Sequence, residues 1–367
     1  MSNPFTGRHI EYHILQSFPV TCLNRDDVGA PKTAEIGGVT RARVSSQSWK
    51  RQVRMQLHTL GVRLGVRTKQ LEKLIREDCL KRGAGELEAQ ACAANIADAL
   101  ATDTLFFFSL KEAAVFGEYA QSQNFSVPGL ETQSTGSAGK GKKDKSKKAV
   151  AKDIAGLIKK VVQPRTAQDG LDIALFGRMV AQAPEMNIEG ASSFAHAVSI
   201  HKVSNEVEFF TALDDLQSGP ESAHMGSLEF NSAVYYRYIS LDLGQLHENI
   251  GAEDMDVAVE VFTKALYLAV PAARQNTMSG AASWDYARIL GRRGQRLQAS
   301  FDNPVLSRGE GYVKPGIVAL EEFLALKERQ AGSLFCKELD LKLGPDKETS
   351  VDDITAALKD YVRKLAS

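Results

Sequence analysis

The sequence has few cysteines, and the four that it has stand apart. They lie at positions 22, 79, 92 and 336, without a CxxC pair and without a nearby histidine. A structural zinc site needs about four such ligands at short spacings, and a disulfide framework needs many cysteines in a short chain. We therefore expect a reduced cytoplasmic protein with no metal and no cofactor.

Long apolar runs are also missing. No stretch approaches the roughly 18 apolar residues that span a bilayer. The beginning, MSNPFTGRHIEYH, lacks the basic segment and apolar run of a secretory signal. We therefore expect no membrane partner. With 367 residues, of which 43% are hydrophobic, the chain could hold two ordinary domains or one core with large insertions.

The formal net charge is zero, but charge is distributed unevenly along the chain. Residues 1–69 carry eleven Lys and Arg against four Asp and Glu, whereas residues 185–260 carry fourteen acidic residues against two basic ones. This asymmetry fits two solvated faces of opposite sign. It also fits a basic binding face together with an acidic face that meets the basic region of another copy.

Strand and helix patterns are interspersed along the chain. HIEYHILQSF alternates, with Ile10, Tyr12 and Ile14 on one side, and a second strand is predicted at 39–44. Amphipathic helices are predicted at about 67–82 and 85–101, and further helical patterns recur near the end. The strands and helices do not form a regular βαβ repeat, so the predicted fold class is α+β.

Two segments have the composition of exposed excursions. Residues 131–149, ETQSTGSAGKGKKDKSKKA, are rich in Gly, Ser and Lys, which predicts a flexible basic loop. Residues 201–243 contain a turn-rich stretch at 218–226, and their last part, NSAVYYRYISLDL, alternates strongly. That pattern predicts a long β-hairpin.

The stretch RARVSSQSWKRQVR, residues 41–54, places five cations around a predicted strand-to-helix junction and no acid. A helix N-terminus is already partly positive, so cations there are mildly unfavourable. An external anion would reverse the sign, because backbone N–H groups, serine hydroxyls and cations would all point at it. Lys50 and Arg54 lie four apart and could contact adjacent phosphates. The alternative is a solvated basic face with Trp49 and Val53 in the core.

Six sequence blocks resemble a known family. In chain order they are CLNRDD at 22–27, RVSSQSWKR at 43–51, GLDIALFGRM at 170–179, FAHAVSIHKV at 194–203, DDLQ…AHMG…EF at 214–230 and YYRY at 235–238. Their order is similar to the CasC family of the RAMP superfamily, the repeated backbone subunit of the type I-E CRISPR complex Cascade. The resemblance covers residues from about 9 to about 290.

The resemblance implies an architecture. It is a single RAMP-type domain over 1–367, with a modified RRM or ferredoxin-like palm, a helical insertion called the fingers and a protruding hairpin called the thumb. The implied parts are the palm at 1–55, 102–122, 166–200 and 231–300, the fingers at 56–101, the Lys-rich loop at 131–149, the thumb at 201–230, and C-terminal helices at 301–367.

The resemblance also implies a function. Copies stack in a helical filament along the guide RNA (crRNA), together with other Cascade subunits, and hold the spacer for pairing with target DNA in antiviral defence. No catalysis is implied. Charge and resemblance together give these candidate RNA contacts: Arg25, Lys32, Arg41, Arg43, Ser45, Gln47, Lys50, Arg51, Arg54, Lys148, Lys152, Met179, Met225 and Arg274.

Two alternatives stay open. Related backbone subunits of other CRISPR classes cut target RNA with an aspartate from a loop in this general position, so Asp26 and Asp27 could form a metal-dependent RNase. The motif offers no third ligand, and Arg25 beside the two acids could pair with a carboxylate. The other alternative is an oligomeric structural protein whose basic face docks an acidic neighbour.

Overall fold

A computed structural model describes most of the chain. The described residues are 3–68, 70–100, 106–108, 110–126, 152–153, 156, 170–180, 184–213, 222–307 and 309–367. The predicted Lys-rich loop at 131–149, which includes Lys148, lies outside them. So do residues 218–221 of the turn predicted at 218–226, whereas residues 222–226 are part of a strand.

Strands and helices alternate irregularly along the chain. The strands are β1 Arg8–Thr21, β2 Thr33–Ile36, β3 Val39–Val44, β4 Val66–Thr68, β5 Phe106–Phe108, β6 Ser192–Phe194, β7 Ala197–Ser199, β8 Glu206–Leu213, β9 Ser222–Asp242, β10 Tyr286–Arg293 and β11 Lys337–Leu343. The helices are α1 Ser46–Thr59, α2 Leu71–Lys81, α3 Glu86–Leu100, α4 Leu110–Ser122, α5 Leu171–Phe176, α6 Leu243–Ile250, α7 Met255–Leu268, α8 Gln275–Met278, α9 Val313–Ala331 and α10 Val351–Ala366.

The chain divides into two compact units. The first comprises Met1–Asn3, Leu57–Ala191 and Gly244–Ala258, and the second comprises Pro4–Gln56, Ser192–Leu243 and Val259–Ser367. Each unit combines segments that are far apart in the sequence.

The second unit is built on an antiparallel sheet, which has nine strands among the described residues. Its order is β11-β10-β1-β9-β7-β3-β2, and β6 and β8 also pair with β9. β1 lies between β10 and β9, with Tyr12 opposite both Ile289 and Ile239. The predicted α+β class is confirmed, and the large antiparallel sheet is consistent with a RAMP or ferredoxin-like palm with helical insertions.

Successive side chains of β1 and β9 point to opposite faces of the sheet, and both faces are covered by helices. On one face, Tyr12 donates or accepts a hydrogen bond with Thr263 of α7 at 2.7 Å, and Trp49 of α1 is buried. On the other face, Leu15 and Tyr236 belong to a core cluster with Leu320 of α9. A sheet that buries both faces needs apolar residues at successive positions, as the YYRY stretch supplies with its tyrosines.

The C-terminal part contains a strand that the sequence analysis did not predict. β11 pairs with β10, and Arg288 makes a two-pronged ion pair with Asp340, at 3.0 and 2.8 Å. The KELDLKL sequence is half charged, so its alternation gives a weak apolar signal. Its acid nevertheless meets a buried arginine, and charge-assisted fork geometry of this kind is among the stronger hydrogen bonds.

The first unit has a helical core. Ile75 of α2, Ala93 of α3 and Phe116 of α4 pack in one cluster. Burial in this cluster raises the pKa of Cys79 to about 11, so the thiol stays protonated near neutral pH. Within the described residues, no helix is long and apolar enough to cross a bilayer.

Candidate nucleic-acid interface

A closed loop follows β1 and presents Arg25. The Asp26 carboxylate accepts hydrogen bonds from the backbone N–H groups of Val28 and Ala30, at 3.0 and 2.9 Å, and the Asp26 N–H donates to the Ala30 carbonyl. Asp side chains often close turns in this way. The loop therefore has a defined shape, with Arg25 and Asp27 exposed at its surface.

Asn24 connects this loop to β3 and to the start of α1. Its side-chain oxygen accepts from the Ser45 N–H at 2.9 Å, and its carbonyl accepts from the Lys32 N–H at 2.8 Å. The Lys32 carbonyl in turn accepts from the Arg43 N–H at 2.8 Å. One backbone network thus brings Lys32, Arg43 and Ser45 together beside the loop that carries Arg25.

Ser45 caps α1. Its hydroxyl accepts from the Ser48 N–H at 3.2 Å, as an N-cap serine does. The Ser46 N–H donates to Nδ1 of His196 at 3.2 Å, so the ring nitrogen also acts as an acceptor at the helix start. The first turn of α1, which is fully described, contains no acidic residue to balance the helix dipole.

The exposed face of α1 carries the cations. Trp49 and Val53 are buried, which at 3.6 residues per turn leaves the opposite side to four predicted contacts. These are Gln47, Lys50, Arg51 and Arg54. The guanidinium of Arg237 lies 3.7 Å from the centre of the Trp49 ring and holds the inner face in place.

Lys50 is partly buried against Phe194 of β6. Its ammonium lies 5.6 Å from the centre of the Phe194 ring, within cation–π range. Burial lowers the pKa of Lys50, because desolvation disfavours the charged form. A bound anion at this position would therefore stabilise the charged form of Lys50, which burial disfavours.

Arg274 approaches the loop from another part of the chain. It precedes α8 with a positive φ of 56°, which is uncommon for a residue other than glycine. Burial raises the pKa of the Cys22 thiol, and the charges of Arg274 and Arg25 oppose that increase. Both arginines therefore act electrostatically on the same thiol, as do Asp26 and Glu229 with the opposite sign, and this links Arg274 to the loop.

Arg41 does not belong to this exposed group. It is fully buried, and its guanidinium donates to the carbonyls of Ser199, Phe301 and Asp302 at 2.9, 3.1 and 3.3 Å. Charge alone placed it among the RNA contacts, and charge does not distinguish a surface arginine from one that anchors a crossing segment. We leave Arg41 out of the interface because its donors already bind the protein backbone.

Met225 shares one face of the β8–β9 hairpin with two exposed apolar side chains. It pairs with Thr211, and residues directly opposite in an antiparallel pair share a face, so Val207 and Phe209 lie on the same side. Met225 is 72% exposed and Phe209 is 82% exposed. The sequence analysis selected Met225 alone, although the alternation of EVEFF could have indicated the two partners.

Met179 lies in the first unit and is held outward by its neighbours. The Arg178 guanidinium donates to Glu112 at 2.8 Å and to the Met186 carbonyl, and both charged groups are buried. Gly177 has a φ of +80°, and a Cβ there would lie 2.9 Å from the Ile188 carbonyl oxygen. The GRM sequence therefore fixes the backbone so that Met179 is 80% exposed.

The structure gives fewer contacts for the remaining predicted residues. Lys152 is exposed and helical in the first unit, and Lys148 lies outside the described residues. Asp26 is engaged in the loop, and Asp27 beside it is exposed. In the part of the chain that the structure describes, no group of three or more His, Cys, Asp or Glu could hold a metal ion.

Comparison with known proteins gives a family and a fold. Residues 10–363 match the family model described as CT1975-like protein. A chain of a "CRISPR RNA-guided surveillance complex, pre-nicking" has a TM-score of 0.77 and 24% identity, covering 97% of this chain and 100% of that one. A chain of a "CRISPR RNA-guided surveillance complex" has a TM-score of 0.65 and 22% identity, covering 97% and 99%. No curated protein matches.

Proposed function

The chain belongs to the CT1975-like protein family, and we propose that it is the guide-RNA-binding backbone subunit of a type I-E Cascade complex. Copies assemble in a helical filament along the crRNA, bind its sugar-phosphate backbone and present the spacer for pairing with target DNA. The other Cascade subunits are its further partners, and the cytoplasm is its place of action.

One observation carries this proposal. The Asn24 network brings Lys32, Arg43 and the loop with Arg25 to the start of α1, where the first turn has no acid. A positive helix end without a balancing acid, together with converging cations, favours a bound anion. A regular row of anions along one strand is what a nucleic-acid backbone offers.

The mechanism follows from charge and shape. Contacts to phosphates position a strand without reading its sequence, so the protein accepts any spacer. Because the guide strand is already ordered when it meets target DNA, the entropic cost of pairing is lower. The exposed apolar side chains Met179, Met225 and Phe209 provide wedges that can lie beside an unstacked base.

We propose that the protein does not cut RNA. The support is that the Asp26 carboxylate already accepts two backbone hydrogen bonds. The competing function is a metal-dependent RNase that uses Asp26 and Asp27, and the same experiment distinguishes the two.

The test is a titration of end-labelled single-stranded RNA of about 40 nucleotides, read on native and denaturing gels. We expect a ladder of retarded bands with intact RNA. If each copy neutralises about four phosphates, the logarithm of affinity should fall with the logarithm of salt at a slope near −3 per copy, using roughly 0.7 per phosphate. RNA fragments that vanish with a chelator and with Asp26→Ala or Asp27→Ala would instead establish the nuclease.

A matched pair of variants identifies the site. Lys50→Ala/Arg54→Ala should flatten the salt slope, by about 1.4 if both cations contact phosphates. Lys347→Ala/Lys364→Ala removes two exposed cations elsewhere in the second unit and should leave the slope unchanged. Equal slopes for the two double variants would contradict the assignment to α1.

A further inference from the structure

A second basic group lies near the end of β10, in the sequence GRRGQR. Gly294 has a φ of +102° and turns the chain away from the strand. The following residues run back across the sheet face: the Leu297 N–H donates to buried Glu11 of β1, and the Ala299 N–H donates to Tyr236 of β9. Arg41 of β3 binds the end of this crossing segment, residues 294–302.

The crossing segment and α9 enclose a cleft of about 770 Å³. Arg293, Arg296 and Lys327 line it together with the apolar Leu334, and none of its described lining residues is acidic. Arg293 is exposed and makes no side-chain hydrogen bond or ion pair with a described residue. The cleft is therefore positively charged and has open donors.

Arg292 holds the wall of this cleft and is itself occupied. It is buried, its guanidinium donates to Glu11 at 2.9 Å, and it lies 4.1 Å from the centre of the Phe335 ring. A buried arginine that is paired with Glu11 and with backbone carbonyls gives the site a rigid base. Of the exposed arginines beside it, Arg293 has its side-chain donors available to a ligand, and Arg296 donates one hydrogen bond to Ser193.

A smaller cleft of about 430 Å³ lies on the other side of the crossing segment. The two clefts share Gln295 and Arg296, and the smaller one is also lined by Phe194. Phe194 is the ring over which Lys50 lies. The smaller cleft thus has Gln295 and Arg296 in common with the larger cleft, and Phe194 in common with the contact that Lys50 of α1 makes.

We propose that these clefts bind the phosphates of the same single-stranded RNA, so that the guide contacts both ends of the sheet rather than the α1 end alone. This inference rests on the proposed function. From β3 to β10 the sheet has four steps of about 4.8 Å, or roughly 19 Å, which exceeds the reach of one phosphate. Arg293 and Arg296 bind backbone phosphates, and Gln295 lies between them.

Nucleic acid explains the clefts better than an acidic polypeptide does. Guanidinium groups match phosphate oxygens in a fork geometry, and the apolar and aromatic lining offers surface to the bases. The smaller cleft is also lined by Phe194, the ring over which Lys50 of the proposed α1 site lies. An acidic polypeptide would explain the charge of the larger cleft, but not the aromatic residue that the smaller cleft shares with the Lys50 contact.

The test combines a salt titration with photo-crosslinking on the full-length protein. Arg293→Gln/Arg296→Gln should reduce the salt slope for single-stranded RNA by about 1.4, at roughly 0.7 per phosphate. Arg293→Gln/Lys327→Gln should do the same while leaving the hydrogen bond from Arg296 to Ser193 intact. Lys347→Gln/Lys364→Gln is the matched control and should not change the slope. A benzophenone amino acid in place of Gln295 should crosslink to labelled RNA, whereas one in place of Lys364 should not.

The outcomes separate this inference from the proposed function. If RNA binding depends on Lys50 and Arg54, but the slope is unchanged in the Arg293 variants and position 295 does not crosslink, the second site is wrong and the function stands. If the wild type binds no RNA even at low salt, both the second site and the proposed function are wrong. If a poly-glutamate peptide binds the wild type but not the Arg293 variants, while RNA binding is unaffected, the clefts bind acidic polypeptide.

Discussion

Burial in the sheet shifts the pKa of individual polar side chains, and His13 of β1 shows this most clearly. Its Nδ1 forms a 2.9 Å hydrogen bond with the Tyr236 hydroxyl, which also accepts from the Ala299 N–H. Burial, together with the charges of Arg288 and Arg292, lowers the pKa of His13 to about 3. The folded protein therefore holds this ring neutral.

His13 should make stability fall on acidification. Below about pH 6.5 the unfolded chain protonates this histidine and the folded chain does not, so the unfolded state binds more protons. The resulting loss is about 1.4 kcal/mol per pH unit, continuing to about pH 3. Urea unfolding between pH 4 and 7 should show a shallower pH dependence for His13→Gln than for the wild type. Identical slopes would mean that the ring becomes protonated in the folded protein.

Residue types indicated part of the candidate interface and missed another part. Lys50 and Arg54 were identifiable because cations at a helix start oppose the dipole. Phe194 was not, since nothing local shows that it lies under Lys50. Local sequence likewise does not show that Arg41 is buried, because the carbonyls that accept its hydrogen bonds come from residues 199, 301 and 302.

At the scale of elements, the start of α1 has a structural as well as a binding role. The Ser45 hydroxyl caps the helix, so Ser45→Ala should lower the free energy of unfolding by about 1 kcal/mol. Ser45→Asn keeps a capping oxygen and should lose only a small part of that. Urea unfolding of the two variants measures the difference. Equal stability of Ser45→Ala and the wild type would show that the cap is unimportant.

The two faces of the β8–β9 hairpin can be tested separately. Phe209→Ser/Met225→Ser removes the exposed apolar face and should weaken RNA binding several-fold, because wedging contacts beside bases are lost. Glu206→Gln/Glu208→Gln alters the opposite face of the same strand and should not weaken it. Filter binding of labelled RNA compares them, and thermal unfolding checks that both variants fold. Similar losses from both faces would argue against a wedge.

The strength of the local pattern decided which elements could be predicted. β1, β3, α1 and the β8–β9 hairpin have strong periodicity or clear turn composition, and the structure contains all four. β11 was missed because its charged residues find partners only through Arg288. β6 and β7 have three residues each, too few for periodicity to show.

At the scale of the whole molecule, repetition along RNA is the distinctive expectation. The number of copies bound to one RNA should rise in steps with RNA length, since a repeated head-to-tail contact has no inherent limit. Native mass spectrometry with RNAs of about 20, 40 and 60 nucleotides would count the copies. A constant copy number at all three lengths would contradict filament assembly.

The order of the sheet was beyond what the sequence could predict. The fold class followed from interspersed strand and helix patterns, but the pairing of β1 with β10 joins residues that are almost 280 positions apart. Such pairings depend on which edges remain available after other strands have packed, and no local pattern contains that information.

The length of β9 has a mechanical consequence. This single strand of 21 residues forms one side of the hairpin and then pairs with β1 inside the sheet. A pull on the hairpin along β9 would load its ladder with β1 in shear, so that many hydrogen bonds resist together instead of opening one after another.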